Sequence, residues 1–233
     1  MKNRSFFKKY SVILAMTATL AVLFLLKACT KEQEPIGIIT MTTQASEVRI
    51  AGEVIGDISI DWGDGKKSNV NDAYLYDDFK WSVFNHDYSS TTEHNIVISG
   101  NVTKLYCRSS QLIALDVSRS RALTDLDCSS NQLTTLDVSK NAALKQLQCN
   151  WNHLTRLDVS KNKALNILSC IGNFFSVSAL NDLFGTLPDY SKTDNVAAIY
   201  ISLRNPNAVS NPATLYCDRS IAEKRGWHFR TKR

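Results

Sequence analysis

The residues best suited to chemistry are cysteines, and four of the six recur every 21 residues, at Cys107, Cys128, Cys149 and Cys170. Thiols can ligate a metal, form disulfides or pack as small hydrophobic side chains. A metal site needs cysteines that converge on one point, whereas a constant spacing strings them along a line. Neighbouring positions on adjacent strands fall within disulfide range, so disulfides stay open as an alternative. We expect four reduced thiols packed in a core, and no metal site.

The other reactive side chains do not indicate catalysis. The four histidines are scattered along the chain, at His86, His94, His153 and His228. The sequence contains no GxSxG, no HExxH, no phosphate-binding loop and no paired-cysteine zinc spacing. We therefore expect no catalytic residue, no enzymatic activity and no cofactor.

The cysteines belong to a repeat, and the repeat indicates which elements position them. Three full units cover 102–122, 123–143 and 144–164, each contains LDVS, and a fourth opens at 165–175. A fixed period with leucines at fixed offsets is typical of a leucine-rich-repeat solenoid. We predict a mainly β fold, in which a short solenoid of parallel strands has few helices and these lie in a C-terminal cap.

Within each unit, the second leucine of LxxLxC and the cysteine are two residues apart, so both point to one side of a strand. Strands of successive units stack about 4.8 Å apart, so each inward position becomes a column. The pairs are Leu105/Cys107, Leu126/Cys128, Leu147/Cys149 and Leu168/Cys170. Leu112, Leu115 and Val117, with their counterparts in later units, are expected to fill the rest of the core.

Polar residues recur at the two bends of each unit. An asparagine that follows the cysteine by three residues can satisfy backbone groups where the chain leaves the strand. These residues are Asn131, Asn152 and Asn173, with Ser110 in the first unit. The aspartates of LDVS form a column of like charge, so we expect them to stay exposed and to accept hydrogen bonds from local amides. They are Asp116, Asp137 and Asp158.

After Phe175 the period breaks, and a stack this short needs a cap at its end. Apolar residues at helical spacing predict a helix over 176–186; they are Val177, Leu180, Leu183, Phe184 and Leu187. VAAIYIS (196–202) restores the strand pattern with Ile199 and Ile201 inward, and Asn205 comes one residue late, which indicates a small insertion.

The last residues complete this cap. We expect a short helix that ends at Gly226, followed by a closing strand from Trp227 to Phe229. Trp227 is expected to cover the last layer of the stack. Cys217 lies off the repeat, and we expect it to be buried in the cap.

Residues 36–100 have a different character, because short strand-like segments alternate there with turn signals. DWGDG (61–65) resembles the turn motif of PKD-type immunoglobulin-like domains, which implies a small β-sandwich that also caps the first repeat. Asp61 and Asp64 would supply only part of the six to eight oxygens that calcium takes, so we expect a turn rather than a calcium site. Residues 72–90 indicate either a long loop or an irregular strand pair.

The first residues read as an export signal, because SVILAMTATLAVLFLL (11–26) is a 16-residue apolar or small run after a cationic start. A membrane-spanning helix needs about 20 apolar residues, so a transmembrane anchor is the weaker alternative. Leu26, Ala28 and Cys29 resemble a bacterial lipobox, which implies lipidation at Cys29; ordinary cleavage near Ala28 is the alternative. The acidic tether TKEQEP resembles the surface-export signals of Bacteroidetes lipoproteins. These resemblances imply a lipid-anchored outer-membrane protein at the cell surface, with a periplasmic face as the alternative.

The charge balance bears on partners. The chain has 27 cationic and 22 acidic residues, and residues 1–28 hold five of the cations and no acid, so the remainder is balanced. Because a phosphate backbone calls for a basic face, we expect no nucleic-acid partner. We expect a monomer that contacts the membrane through its lipid anchor only.

Residues 95–229 resemble the 21-residue cysteine-ladder repeats of the internalin J type and the leucine-rich-repeat lipoproteins of Bacteroidetes. The resemblance implies a surface binding or adhesion protein. The predicted organisation is a lipoprotein signal peptide (1–28), a polar tether (29–35), a PKD-like β-sandwich and N-terminal cap (36–100), leucine-rich repeats (101–175), and an irregular last repeat with a C-terminal cap (176–233).

Side chains that flank the inward pairs are expected to face outward on the concave side of the solenoid. They change from unit to unit while the core positions stay fixed, which is what a recognition surface needs, and exposed aromatic rings are favoured as binding anchors. The candidate contact residues are Lys104, Tyr106, Arg108, Asp125, Asp127, Gln146, Gln148, Trp151 and Tyr200. Simple drift of solvent-facing positions, with Trp151 packed on a neighbouring turn, is the alternative.

The predicted function is binding of a protein or glycan ligand through this concave face. The alternative is a non-catalytic structural or assembly component that holds another envelope protein.

Overall fold

The computed structural model describes residues 37–75, 81–193, 196–203 and 212–232. All of them belong to one compact unit, Gly37–Arg233. The predicted signal peptide, the tether with lipidation at Cys29, and the insertion at Asn205 lie outside the described residues. The described chain is mainly β, and its strands join in a single mixed sheet.

The strands are β1 (Ile38–Thr43), β2 (Glu47–Asp61), β3 (Lys67–Asn69), β4 (Tyr74–Leu75), β5 (Ser82–Asp87), β6 (His94–Tyr106), β7 (Leu112–Asp116), β8 (Asp125–Asp127), β9 (Gln146–Gln148), β10 (Ile167–Ser169), β11 (Ala197–Leu203) and β12 (Trp227–Lys232). The α-helices are α1 (Val177–Thr186) and α2 (Ser220–Glu223), and two 3₁₀ turns cover Val70–Asp72 and Pro212–Leu215. None of the helices in the described part of the chain is long and apolar enough to span a bilayer.

The antiparallel region consists of β1 to β5 with the first half of β6. The first half of β2 pairs with β5, and its second half pairs with β3 and with the start of β6. Two register shifts in β2, next to Val54 and between Ile55 and Ile58, separate these halves. β-branched residues alternate along the strands and bury one side, as Ile96 and Ile98 of β6 show.

The parallel stack consists of the second half of β6, then β8, β9, β10, β11 and β12, together with the coils that connect them. Its strands pair in parallel and in register, so one inward position forms a continuous column: Leu105, Leu126, Leu147, Leu168, Ile199 and Phe229. The first four members are buried and 21 residues apart in the chain. The period read from the sequence therefore equals one coil of the stack.

The boundary predicted at residue 100 has no counterpart in the strands, because β6 runs through it from His94 to Tyr106. One half of β6 pairs with β1 and β2, and the other half pairs with β2 and β8. The antiparallel region thus covers the first coil by continuing its sheet. Within 72–90, β4 and β5 form an antiparallel pair, so the described residues there match the strand-pair alternative.

The thiol column lies inside the stack. Cys107, Cys128, Cys149 and Cys170 are free and buried. Each of the first three Sγ atoms donates toward a carbonyl one coil further on, as Cys149 does to Ser169 O at 3.6 Å. Burial raises the pKa of Cys128 and of Cys170 to about 12, which keeps the thiols protonated.

The expected asparagine column is confirmed. Asn152 is buried, and its Nδ2 donates to Cys128 O at 3.0 Å and to Cys149 O at 3.2 Å. Its Oδ1 accepts from Leu133 N at 3.0 Å. Asn131 and Asn173 make the same bonds one coil before and after. One amide therefore joins consecutive coils and satisfies both sides of the bend.

The LDVS bend also behaves as expected, and it holds a second asparagine column that the sequence reading missed. Asp137 is exposed, and its Oδ1 accepts from Ser139 N at 2.8 Å; Asp116 and Asp158 do the same. Four residues after Asp137, the buried Asn141 donates to Val117 O at 2.9 Å, and Asn162 repeats this bond to Val138 O. The repeated letters SKN carry the signal for this column.

The C-terminal cap contains the predicted helix, and two of its residues, Val177 and Cys217, are less buried than expected. The helix begins after Ser176, whose Oγ accepts from Ala179 N at 3.1 Å, and it buries Leu180, Leu183 and Phe184. Val177 is exposed because it lies in the first turn, on the side away from the core. Cys217 is only partly buried, since it packs against the edge of the core.

Trp227 is buried under the last layer, and its Nε1 donates to Pro188 O at 2.8 Å. Gly226 lies two residues beyond the C-cap residue Lys224 and has φ +79°. A Cβ on Gly226 would lie 2.7 Å from the backbone of Tyr190, so close approach as well as turn geometry requires glycine there.

Candidate functional site

Seven of the nine candidate contact residues lie on one side of the sheet, which we call the open face, and Arg108 and Trp151 lie beyond the strand ends. The open face is built from two rows that cross the strands in register. The first row is Glu53, Lys104, Asp125, Gln146, Ile167, Ala198 and His228. The second row is Ala51, Tyr106, Asp127, Gln148, Ser169, Tyr200 and Arg230. The side-chain chemistry changes at nearly every step of both rows, the step from Ile167 to Ala198 excepted, whereas the buried column between them remains apolar.

The open face is charged and aromatic where it meets the antiparallel region. Lys104 Nζ lies 2.8 Å from Glu53 Oε2 and 5.8 Å from the centre of the Trp81 ring. The hydrogen bond to the Glu53 carboxylate, aided by the charge of Asp125, raises the pKa of Lys104. Trp81 also contacts Tyr106, with the ring centres 4.5 Å apart.

Tyr106 lies half-buried in this group. Burial raises the pKa of its phenol to about 12, and the nearby charges of Asp125, Asp127 and Glu53 act in the same direction. The hydroxyl therefore stays protonated at neutral pH and can donate a hydrogen bond to a ligand.

Trp81 and Glu53 are the functional candidates that the sequence reading missed. Trp81 precedes β5 in the poorly patterned segment 72–90, and Glu53 lies in the middle of β2. Both reach the open face only because β2 pairs with β6 on one side and β5 on the other. No local pattern indicates that pairing.

The middle of the open face is closed, which corrects the expectation that every flanking residue faces solvent. Asp127 is 3 % exposed, because its Oδ1 accepts from Ser129 N at 3.0 Å and its Oδ2 lies 3.5 Å from Arg108 Nε. Ser169 Oγ donates to Asn150 Oδ1 at 2.6 Å, and Asn150 Nδ2 donates to Ser129 Oγ at 3.2 Å. These polar groups hold consecutive coils together and are not open to a ligand.

The remaining candidates divide by exposure. Arg108 is exposed, whereas Gln146, Gln148 and Tyr200 are half-buried on the face. Trp151 lies beyond the strand ends and is 42 % exposed. Its ring packs on the backbone of Gly172 in the next coil, where a Cβ would lie 2.2 Å from a ring carbon. Trp151 therefore packs on a neighbouring turn and also remains exposed to solvent.

The DWGDG turn is stabilised by its own carboxylates. Asp61 Oδ1 accepts from Gly63 N at 3.1 Å, and Asp64 Oδ1 accepts from Lys66 N at 3.0 Å. Asp64 Oδ2 also lies 2.9 Å from Nε2 of the buried His86. Within the described residues, no group of three or more His, Cys, Asp or Glu side chains is arranged to hold a metal ion.

A groove of about 600 Å³ lies away from the open face, between the LDVS bends and α1. Its lining includes Asp137, Arg156, Asp158, Lys161 and Asp182. None of the nine predicted contact residues lines it. The charges are mixed and the carboxylates of Asp137 and Asp158 already accept local amides, so the groove is a solvated feature of the bends.

Comparison with known proteins gives one similar solved structure. The chain is similar to the functional domain of InlJ from Listeria monocytogenes, whose structure includes a cysteine ladder: 36 % identity over 34 % of this chain and 19 % of that chain, with a TM-score of 0.33. The chain thus matches about a fifth of the length of that protein. No protein-family model matches the chain, and no curated protein matches it.

Proposed function

We propose that this chain is a non-catalytic recognition protein that binds a protein or glycan ligand through the open face of a leucine-rich-repeat solenoid. The observation that supports the proposal is the contrast between neighbouring positions of the same strands. Leu105, Leu126 and Leu147 repeat one side chain, while Lys104, Asp125 and Gln146 beside them change from cation to anion to amide. A constant core with a varied face is the arrangement that a binding surface uses.

The charged and aromatic end of the open face is the proposed centre of contact. Lys104, Tyr106 and Trp81 combine a cation, a protonated phenol and an indole within a few ångströms. Aromatic and cationic groups of this kind carry much of the energy of protein interfaces. Arg108, which is exposed next to them, extends the surface toward the bend.

The same proposal includes the location and the family. We place the protein on the outer membrane, anchored by lipid at Cys29 and exposed at the cell surface, as a leucine-rich-repeat lipoprotein with an internalin J-like ladder and a PKD-like N-terminal region. The lipobox residues Leu26, Ala28 and Cys29 and the period of 21 support it.

A binding screen tests the function. Full-length protein is assayed against glycans and extracellular-matrix proteins, with Tyr106→Ala as the open-face variant and Lys140→Ala, which lies on an exposed bend, as the matched control. A ligand whose affinity falls at least tenfold in Tyr106→Ala and is unchanged in Lys140→Ala is the expected result. A ligand that both variants bind like the unaltered protein would place recognition elsewhere.

Protease treatment of intact cells tests the location and the alternative role. Loss of the protein from intact cells is expected for a surface recognition protein. Complete protection on intact cells, with digestion after the outer membrane is opened, would instead support an envelope component that holds another protein.

A further inference from the structure

The bends that follow β6, β8, β9 and β10 carry two columns of residues, none of which is Asp, Glu, Lys or Arg. We call these columns the neutral strip: Ser109, Ser130, Trp151 and Gly172 in one, and Gln111, Gln132, His153 and Phe174 in the other. The exposed Arg108 lies at the edge of the strip in the first bend.

The neutral strip is held in place from below. Its backbone bonds run from coil to coil, as in Gln132 N to Leu112 O at 2.9 Å and His153 N to Leu133 O at 2.9 Å. The buried asparagine column lies directly beneath, so the bend cannot rearrange without breaking the bonds of Asn131, Asn152 and Asn173. A preorganised surface loses little entropy when it binds a ligand.

Trp151 is the least expected residue of the neutral strip. Its φ is +53°, a left-handed conformation that is unusual for a bulky side chain, and the equivalent positions hold Ser109, Ser130 and Gly172. Ser109, Ser130 and Gly172 share this left-handed conformation, so the recurring turn requires it and the bulky side chain is the exception. Packing on Gly172 stabilises one face of the indole, yet 42 % of the residue remains exposed. The fold would be easier to form with serine or glycine here, so packing alone does not account for tryptophan.

A second ring system lies on the same surface. Phe174 is 64 % exposed, and its ring is stacked on His153 with centres 5.3 Å apart and planes 20° apart. Phe174 and Trp151 thus each rest on a partner in an adjacent coil. Both are flat rings supported by the protein rather than side chains that fill a pocket.

We infer that the neutral strip binds an uncharged carbohydrate. In this arrangement Trp151 and Phe174 stack against the C–H faces of sugar rings, and the amides of Gln111 and Gln132 exchange hydrogen bonds with hydroxyl groups. Each amide carries both donors and an acceptor, which suits hydroxyl groups that do both. The inference rests on the proposed recognition function and adds to the open face a second contact surface with a stated class of ligand.

Carbohydrate suits the neutral strip because the strip combines supported, exposed rings with uncharged hydrogen-bonding groups. The charged end of the open face, with Lys104, Arg108 and Asp125, instead suits a partner that brings charged groups of its own. A neutral glycan needs flat apolar rings and uncharged hydrogen-bonding groups, and the neutral strip offers both.

Calorimetric titration of the full-length protein tests the inference, with oligomers of glucose, mannose, galactose and N-acetylglucosamine as probes. The main variant is Trp151→Gly, which removes the ring and relieves the left-handed backbone, so it is expected to fold. Phe174→Ala tests the second ring, Trp151→Phe retains a stacking ring, Tyr106→Ala reports on the open face, and Lys140→Ala on an exposed bend is the control. We expect at least a tenfold loss of affinity in Trp151→Gly, a smaller loss in Phe174→Ala, partial rescue in Trp151→Phe and no change in Lys140→Ala.

The contrary results separate the inference from the proposed function. If Tyr106→Ala abolishes glycan binding and Trp151→Gly does not, recognition by the open face stands and the neutral strip is not the site. If no probe binds while a protein ligand does, the recognition function stands and the assigned ligand class is wrong. If neither class of ligand binds, both proposals fail.

Discussion

The parallel stack and the antiparallel region bury polar groups in opposite ways. In the stack, the same arrangement recurs: Asn131, Asn152 and Asn173 each bond two coils through the side-chain amide. In the antiparallel region, polar groups are buried in one aromatic cluster that does not recur. Trp62 stacks on His86 and Tyr88 on His94, and His86 meets Tyr88 edge to face, with ring centres 3.9 to 4.6 Å apart.

The bonds around this aromatic cluster differ from member to member. Tyr88 Oη donates to Trp62 O at 2.8 Å, Trp62 Nε1 donates to Ser68 Oγ at 2.9 Å, and His86 contacts Asp64. Each residue has a unique role, so no other position in the chain predicts it. A repeated polar interior can be inferred from one coil, whereas a unique cluster has to be observed.

The largest difference is expected between the reactivity of the thiols in the stack and that of the thiol in the C-terminal cap. Because burial raises the pKa of Cys128 and Cys170 to about 12, only about one thiol in ten thousand is ionised at pH 8. Cys217 is only partly buried. We expect iodoacetamide to label Cys217 at least about a hundredfold faster than the four ladder cysteines of the native protein, as followed by peptide mass mapping. Equal rates would show that the stack opens readily, and failure of the denatured, unreduced protein to label would show disulfides.

The asparagine column should give the largest loss of stability. Asn152→Ala leaves Leu133 N without its partner. The carbonyls of Cys128 and Cys149 each lose one of two asparagine donors and keep the other, from Asn131 and Asn173. At about 1 to 3 kcal/mol for a buried group left unsatisfied, we expect a loss of about 2 to 3 kcal/mol in urea unfolding.

Two comparisons sharpen this result. Asn131→Ala should cost at least as much, because Asn131 Oδ1 accepts from both Ser110 N and Leu112 N. Thr134→Ala, at an exposed position of the same coil as Asn131, should change stability by less than about 0.5 kcal/mol. A loss below about 1 kcal/mol for both asparagine variants would mean that the column does not hold the coils.

A substitution in the aromatic cluster should lower the free energy of unfolding by less, because it removes a single hydrogen bond. Tyr88→Phe keeps the stacked ring and removes only the buried hydrogen bond to Trp62 O. We expect a loss of about 1 to 2 kcal/mol, against less than about 0.5 kcal/mol for Tyr106→Phe at the half-buried open face. Equal losses for the two tyrosines would contradict the assignment of Tyr88 to a structural cluster.

The smallest expected effect concerns the exposed bend of the stack. Hydrogen bonds from the amide and hydroxyl of Ser139 lower the pKa of Asp137, so this carboxylate contributes stability above its unfolded pKa near 4 and loses it as pH falls through the lower folded value. Asp137→Ala should cost about 0.5 kcal/mol at pH 7, and the difference from the unaltered protein should shrink below about pH 4. Urea unfolding at several pH values measures this; a difference independent of pH would exclude the charged carboxylate as the cause.

The parallel stack could be predicted from the amino-acid repeat alone. The period of 21 gave the register of the strands, the inward columns, the burial of the four thiols and the roles of Asn131, Asn152 and Asn173, because in a repeat the same offset returns to the same place. It also gave α1, since a helix depends on local periodicity. Asn141 and Asn162 recur with the same period, but the sequence around them indicated only a bend.

The composition of the open face depends on long-range strand pairing and could not be predicted from the repeat. Glu53 and Trp81 join Lys104 and Tyr106 because β2 pairs with β6 over two register shifts, and such long-range pairing leaves no local pattern. Asp127 was expected to face solvent from strand alternation, but it is buried, with its carboxylate held by Ser129 N and Arg108. Alternation tells which side of a strand a residue takes; how open that side is depends on the neighbouring coils that pack across it.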